Sequence, residues 1–173
     1  MATDIKASRT GAALTIARIV EAWAVLGGVV LLAVVAVNVC SVIGGIVSVP
    51  FPGDFELSEL GVAIAVFAFL PYCELAGANV TADIFTARAG QRLLSVFKAF
   101  AAGIALLFAL LLLWRMSLGL LDQKDFGYTT AILQVPVWTA FVPILISLFL
   151  LSAATLVTLA ESLRGAAGAP SHD

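Results

Sequence analysis

Four long, nearly uninterrupted runs of apolar residues constrain this chain more than any other feature of its sequence. A helix needs roughly 20 apolar residues to cross the hydrocarbon core of a bilayer, and each run is at least that long. Within a run, almost every face of a helix would be apolar, so no side is left for water. The sequence therefore predicts an all-α integral membrane protein with four transmembrane helices. The predicted spans are residues 19–47, 57–78, 94–114 and 137–160.

The scarcity of charged residues supports lipid as the solvent of this chain. Hydrophobic residues make up 62% of the 173 residues and charged residues 12%, whereas a soluble domain is nearer half apolar and a quarter charged. The length suits one four-helix membrane domain, residues 18–163, between a cytoplasmic N-terminal segment, residues 1–17, and a cytoplasmic tail, residues 164–173. The net charge of −2 gives no electrostatic footprint for a nucleic-acid partner.

The positions of the basic residues predict the orientation in the membrane. Cytoplasmic loops carry an excess of lysine and arginine. If both chain ends lie inside, seven basic residues fall on the inner side, and only Arg115 and Lys124 fall outside. Trp114 and Trp138 then mark the outer ends of helices three and four, where amphipathic rings prefer to lie. The seven inner residues are Lys6, Arg9, Arg18, Arg88, Arg92, Lys98 and Arg164.

Two segments between the spans mix polar and apolar residues. Residues 79–93 read as a short helix in the membrane interface, and this segment includes Asp83. Residues 115–134 are a second candidate interfacial segment, or else a continuation of helix three out of the bilayer. The prediction is thus one or two short interfacial helical segments besides the four spans.

Three glutamates fall within or beside the predicted spans, where burial of a charge is costly. Glu21, three residues after Arg18, is either a snorkelling or paired interfacial carboxylate or a proton-coupling group. Glu59 suits the positive end of a helix dipole, or it binds a basic group on a partner chain. Glu74 follows the helix-kinking Pro71 and either reaches the inner interface or makes a buried contact between helices.

Nothing in the sequence supports a catalytic site. There is no phosphate-binding loop and no HExxH, and the single histidine, His172, lies in the polar tail, so we predict no enzymatic activity and no cofactor. Cys40 and Cys73 form neither a CxxC pair nor a metal-ligand spacing and are interpreted as small buried apolar residues. A redox protein that uses these cysteines is the alternative, which their predicted positions in opposite membrane halves disfavour.

The order of the short motifs resembles the small membrane subunit, DctQ, of tripartite ATP-independent periplasmic (TRAP) transporters. The resemblance extends over roughly residues 18–159. At residue 79 this chain has asparagine where family members often carry histidine, so that position is interpreted as structural. The motifs are Ser58-Glu59-Leu60, Phe69-Leu70-Pro71-Tyr72, Asn79-Val80-Thr81-Ala82-Asp83, the basic Arg88 and Arg92, Thr129-Thr130, Leu133-Gln134-Val135-Pro136-Val137-Trp138 and Pro143.

This resemblance implies a function that the residues alone do not give. Such subunits pair with a large membrane subunit that carries the substrate and sodium sites, and a periplasmic binding protein delivers the substrate, usually an organic acid. The small subunit would be a multi-pass scaffold in the bacterial inner membrane, surrounded by lipids, against which the partner's transport domain moves. The alternative is a stand-alone, proton-coupled transporter that uses Glu21 or Glu74. Candidate partner-contact or structural residues are Glu59, Pro71, Glu74, Asn79, Asp83, Pro136 and Trp138.

Two further groups of residues are expected at the surfaces of the protein. Four residues are expected at the membrane surface, and two acids of the first outer loop, Asp54 and Glu56, are hypothesised to contact the binding protein. The four membrane-interface candidates are Arg18, Arg88, Arg92 and Trp114.

Overall fold

A computed structural model describes residues 11–49, 51–77 and 91–168. Its four helices are each long and apolar enough to cross a membrane, which confirms the predicted all-α fold with four membrane-length helices. The end of the molecule that carries the start of the second helix is called the outer end, following the predicted orientation. The helices are α1, Ala12–Ile46; α2, Asp54–Leu75; α3, Gln91–Asp125; and α4, Trp138–Gly168.

The helices form an open row rather than a closed bundle. Helix α1 lies along α2, α2 packs against α4, and α4 packs against α3, while α1 touches α4 over a shorter length. Among the described residues, α3 therefore packs chiefly against α4. The buried residues concentrate on the two central helices, α2 and α4. The flanks of α1 and α3 that point away from the row remain open to lipid or to another chain.

Helices α1, α3 and α4 are longer than their predicted spans, because a helix ends where its backbone is interrupted, not where its apolar run ends. Helix α2 is shifted instead: it spans Asp54–Leu75, whereas residues 57–78 were predicted. Helix α1 begins just after Gly11, which has a positive φ of 64°. Helix α3 continues past Trp114 to Asp125 and ends in a Schellman-type turn. There the amide of Tyr128 donates to the carbonyl of Gln123 at 3.2 Å. The predicted alternative that helix three continues beyond residue 114 is the one the structure shows.

Small residues let α1 and α2 approach closely. A Cβ built on Gly61 would stand 2.3 Å from Cγ2 of Val34, and one built on Gly27 would stand 2.7 Å from Cβ of Ala68. Neither space can hold a methyl group unless the neighbour moves. Close approach through small residues is typical of membrane helices, which have no hydrophobic drive to associate within lipid.

The inner end of the row has its own apolar core. Ala17 and Val20 on α1 meet Leu75 at the end of α2 and Ala154 on α4. All four side chains are buried. Three helices therefore converge at the inner end, while α3 stays at the edge.

Candidate functional site

Polar side chains join α1 to α2 at the outer end. Asn38 donates through Nδ2 to Oγ of Ser58 at 2.7 Å and to the carbonyl of Val34 at 2.8 Å. One turn further out, Ser41 donates a short hydrogen bond to Oδ2 of Asp54. Hydrogen bonds between membrane helices contribute about 0.6 kcal/mol each on average, so the pair stabilises this contact modestly and fixes its register.

Glu56 joins the start of α2 to the loop between α3 and α4. Its Oε1 accepts the amide of Ile132 at 2.7 Å, and its Oε2 accepts the amide of Leu133 at 3.0 Å. The side chain of Leu133 also covers Gly53, where a Cβ would stand 2.4 Å from the Leu133 Cγ. We call Asn38, Ser41, Asp54, Glu56 and Ser58, with the two loop amides, the outer polar network.

Asp54 and Glu56 also have a role inside the chain, and the hypothesis that they contact the binding protein stays a prediction. Both carboxylates accept hydrogen bonds from within the chain. Residues in a loop that follow helix-breaking proline and glycine look like exposed surface in a sequence. Glu56 binds the loop between α3 and α4, and Asp54 binds Ser41 on α1, so both carboxylates hold the outer end together.

The loop that Glu56 holds is a small hairpin rather than an interfacial helix. Thr129 and Pro136 form an isolated antiparallel bridge, and the amide of Thr130 donates to the carbonyl of Val135 at 2.9 Å. Gln134 adopts a positive φ of 55°, and its Nε2 donates to the carbonyl of Ala131 at 3.0 Å. The Thr129-Thr130 and Gln134-Val135-Pro136 motifs are thus the two arms of one hairpin.

Pro136 and Trp138 form the start of α4. Thr139 donates to the carbonyl of Pro136 through its amide at 3.1 Å and through its hydroxyl at 2.7 Å. Trp138 is the first residue of the helix and is half-buried, while Pro136 is exposed. The sequence motif therefore marks a helix start, and any contact of these two residues with a partner stays a prediction.

A second polar contact joins α1 to α4 in the inner part of the row. Trp23 donates its indole N–H to Oγ of Ser147 at 2.9 Å, and Ser147 donates to the carbonyl of Pro143 at 2.8 Å. Sequence reasoning missed both Trp23 and Ser147. A signal was present, because a tryptophan inside an apolar span carries an N–H that needs a partner.

The structure distinguishes the glutamates predicted in or near the spans. Glu74 is buried, with 8% of its surface exposed, which favours the buried contact between helices over the inner membrane surface. Pro71 is buried inside α2, which continues through it to Leu75. Glu59 is exposed on α2, and Glu21 is half-buried on α1. Their proposed roles towards partner chains or protons stay predictions.

The remaining predicted residues are spread along the chain. Arg18 and Trp114 are exposed, whereas Asn79, Asp83 and Arg88 lie outside the described residues. Arg92 lies in the first turn of α3, where the structure describes its backbone only.

The cysteines and the acidic side chains bring no further site together. Cys40 on α1 and Cys73 on α2 are both free thiols. Across residues 11–49, 51–77 and 91–168, no three His, Cys, Asp or Glu side chains are grouped so that they could hold a metal ion.

These observations define the class of protein: it is a multi-pass α-helical membrane protein in which polar side chains bind the helices to one another. A model of the family described as tripartite ATP-independent periplasmic transporters, DctQ component, matches residues 34–165. The chain belongs to this family. It is a component of a TRAP transporter, lies in the inner membrane and associates with other components of such a transporter. No curated protein and no solved structure gave a significant match.

Proposed function

We propose that this chain is the small scaffold subunit of a sodium-driven, binding-protein-dependent uptake transporter for an organic acid. In this role it braces a large membrane subunit, which carries the substrate and sodium sites. The large subunit's transport domain would move across the membrane against the fixed surface that the two chains share. A periplasmic binding protein would deliver the substrate to the assembled pair.

The observation that carries the proposal is that polar contacts join the helices at two levels of the row. The outer polar network joins α1, α2 and the hairpin that precedes α4. The contact between Trp23 and Ser147 joins α1 to α4 further in. A part against which another domain moves has to keep its own helices in register. Contacts at two levels resist both sliding and splaying of the helices.

The use of the buried hydroxyl groups also supports a bracing role. Ser152 donates to the carbonyl of Leu148 at 2.9 Å, and Thr155 donates to the carbonyls of Leu151 and Ser152. These groups bond to their own helix, as serine and threonine commonly do, and so they contribute to α4 itself. We therefore assign substrate and sodium binding to the partner chain.

The test is purification of the tagged chain from its native membrane in mild detergent, followed by mass spectrometry of the proteins that accompany it. We expect one large polytopic protein in near-equal amount. Uptake of organic acids by vesicles should then require both chains, the binding protein and a sodium gradient. Isolation of the chain alone or as a homodimer would contradict the scaffold role.

A stand-alone transporter is the second candidate, because Glu74 is a buried carboxylate within a span and such groups often carry protons. This candidate requires the purified chain alone to move a solute in liposomes. It also requires Glu74→Gln or Glu21→Gln to abolish that movement. Uptake that depends on the large subunit and survives both substitutions would exclude it.

A further inference from the structure

Arg115 lies on the open flank of α3, within an otherwise apolar surface. Ala102 and Ala109, seven residues apart, are buried and mark the side of α3 that packs against α4. Arg115 lies away from that side, and its neighbours one turn before and after, Leu111 and Leu118, are exposed. The guanidinium is therefore directed out of the protein, on a helix whose flank faces the membrane.

The length of the apolar stretch places Arg115 at a boundary of the bilayer. Residues 99–114 contain no charged or polar side chain apart from the indole of Trp114. At 1.5 Å per residue this stretch is about 24 Å long, slightly less than the hydrocarbon core of about 30 Å. A long arginine side chain can extend over the remaining distance and bring its charge into the headgroup region.

The described residues around Arg115 do not neutralise its charge, so the guanidinium is available to bind a group outside the chain. Within the described part of the chain, no carboxylate forms an ion pair with Arg115 and no acceptor takes a hydrogen bond from it. A guanidinium carries five N–H donors, so it needs acceptors at the membrane boundary. Trp114, the preceding residue, is 66% exposed, and tryptophan is enriched at the headgroup level.

We propose that Trp114 and Arg115 form a phospholipid-binding site in the outer leaflet. The guanidinium binds the lipid phosphate through paired N–H donors, a geometry that suits arginine better than lysine. The indole packs at the boundary between headgroup and acyl chain. A phosphate fits better than a carboxylate on a partner helix, because the apolar length places Arg115 at headgroup depth rather than in the middle of the bilayer.

The first test measures lipid binding by the full-length chain with native mass spectrometry. The purified chain in detergent is titrated with dimyristoyl-phosphatidylglycerol. We expect Arg115→Gln to weaken binding about tenfold, which corresponds to the loss of one charged hydrogen-bonded pair, and Arg115→Lys to weaken it less. Lys124→Gln removes another exposed cation of α3 and should leave binding unchanged. Inorganic phosphate should not displace the lipid.

Equal lipid binding by the wild-type chain and Arg115→Gln would overturn the proposal. Purification of both chains from the native membrane in mild detergent then shows what Arg115 binds instead: reduced recovery of a membrane partner with Arg115→Gln would assign Arg115 to a carboxylate on another helix.

Depth gives an independent measurement that does not depend on the stability of an Arg115 variant. The wild-type chain and Trp114→Phe are reconstituted in phosphatidylcholine vesicles that contain lipids brominated at shallow or deep acyl positions. The difference in fluorescence between the wild-type chain and Trp114→Phe is the emission of Trp114, because the other tryptophans are present in both chains. This emission should be quenched more strongly by bromines at the shallow acyl positions than by bromines at the deep positions. Stronger quenching by the deep bromines would place Trp114 near the bilayer centre and reject the site.

Discussion

Trp23 on α1 donates its indole N–H to Oγ of Ser147 on α4 at 2.9 Å, across 124 positions of sequence. Ser147 is 1% exposed, and its hydroxyl donates a hydrogen bond to the carbonyl of Pro143. The hydroxyl thus acts at once as acceptor and donor between two helices. This contact is the basis of the first prediction.

Ser147→Ala should destabilise the chain by about 1–2 kcal/mol, because the indole N–H loses its acceptor and stays within the protein. Thermal unfolding of the purified chain in detergent measures the change. Ser152→Ala is the matched control, since Ser152 is also buried but donates only to its own helix; it should cost less. Equal losses for the two variants would mean that the contact with Trp23 contributes nothing of its own.

Glu56→Gln should loosen the hairpin between α3 and α4. The carboxylate accepts two amides, of Ile132 and Leu133, whereas a glutamine offers one oxygen and turns an NH2 group towards the second amide. Hydrogen exchange of a peptide that covers residues 131–135 should become faster. Glu59→Gln, on the exposed side of the same helix, is the control and should leave exchange of this peptide at the wild-type rate.

Gly61→Ala should separate α1 from α2, because the new methyl would overlap Cγ2 of Val34. Overpacking of this kind costs about 1–3 kcal/mol. Adding Val34→Ala should recover part of the loss by removing the opposing methyl groups. Gly28→Ala, which meets no atom within 4 Å, should be tolerated, and a double variant no more stable than Gly61→Ala would refute the assigned contact.

Gly53→Ala should be costly for two separable reasons. Gly53 has φ of 82°, which L-residues adopt with strain, and a Cβ there would also strike Leu133. Leu133→Ala in the Gly53→Ala background should therefore restore stability only in part. Complete recovery, measured by thermal unfolding, would show that the backbone conformation contributes little.

Some of the candidate site was readable from the sequence, and some was not. The motif at residues 133–138 is visible in the sequence. That the amides of Ile132 and Leu133 bind Glu56 is not, because hydrogen bonds across 76 and 77 positions leave no local pattern. Asp54 and Glu56 looked like free surface acids for the same reason. A glycine such as Gly61 is visible in the sequence, whereas its fit against Val34 depends on the register of the two helices.

The sequence by itself determined the solvent, the number of helices and the family. Runs of apolar residues have to be buried in lipid, and inside lipid the backbone has to satisfy its own hydrogen bonds by forming helices. The tertiary structure alone decided that the helices form an open row in the order α1, α2, α4, α3, and which polar side chains hold it together. Lipid is as apolar as the helices, so hydrophobicity does not determine which helices pack together. Close packing of small residues and a few hydrogen bonds determine it instead.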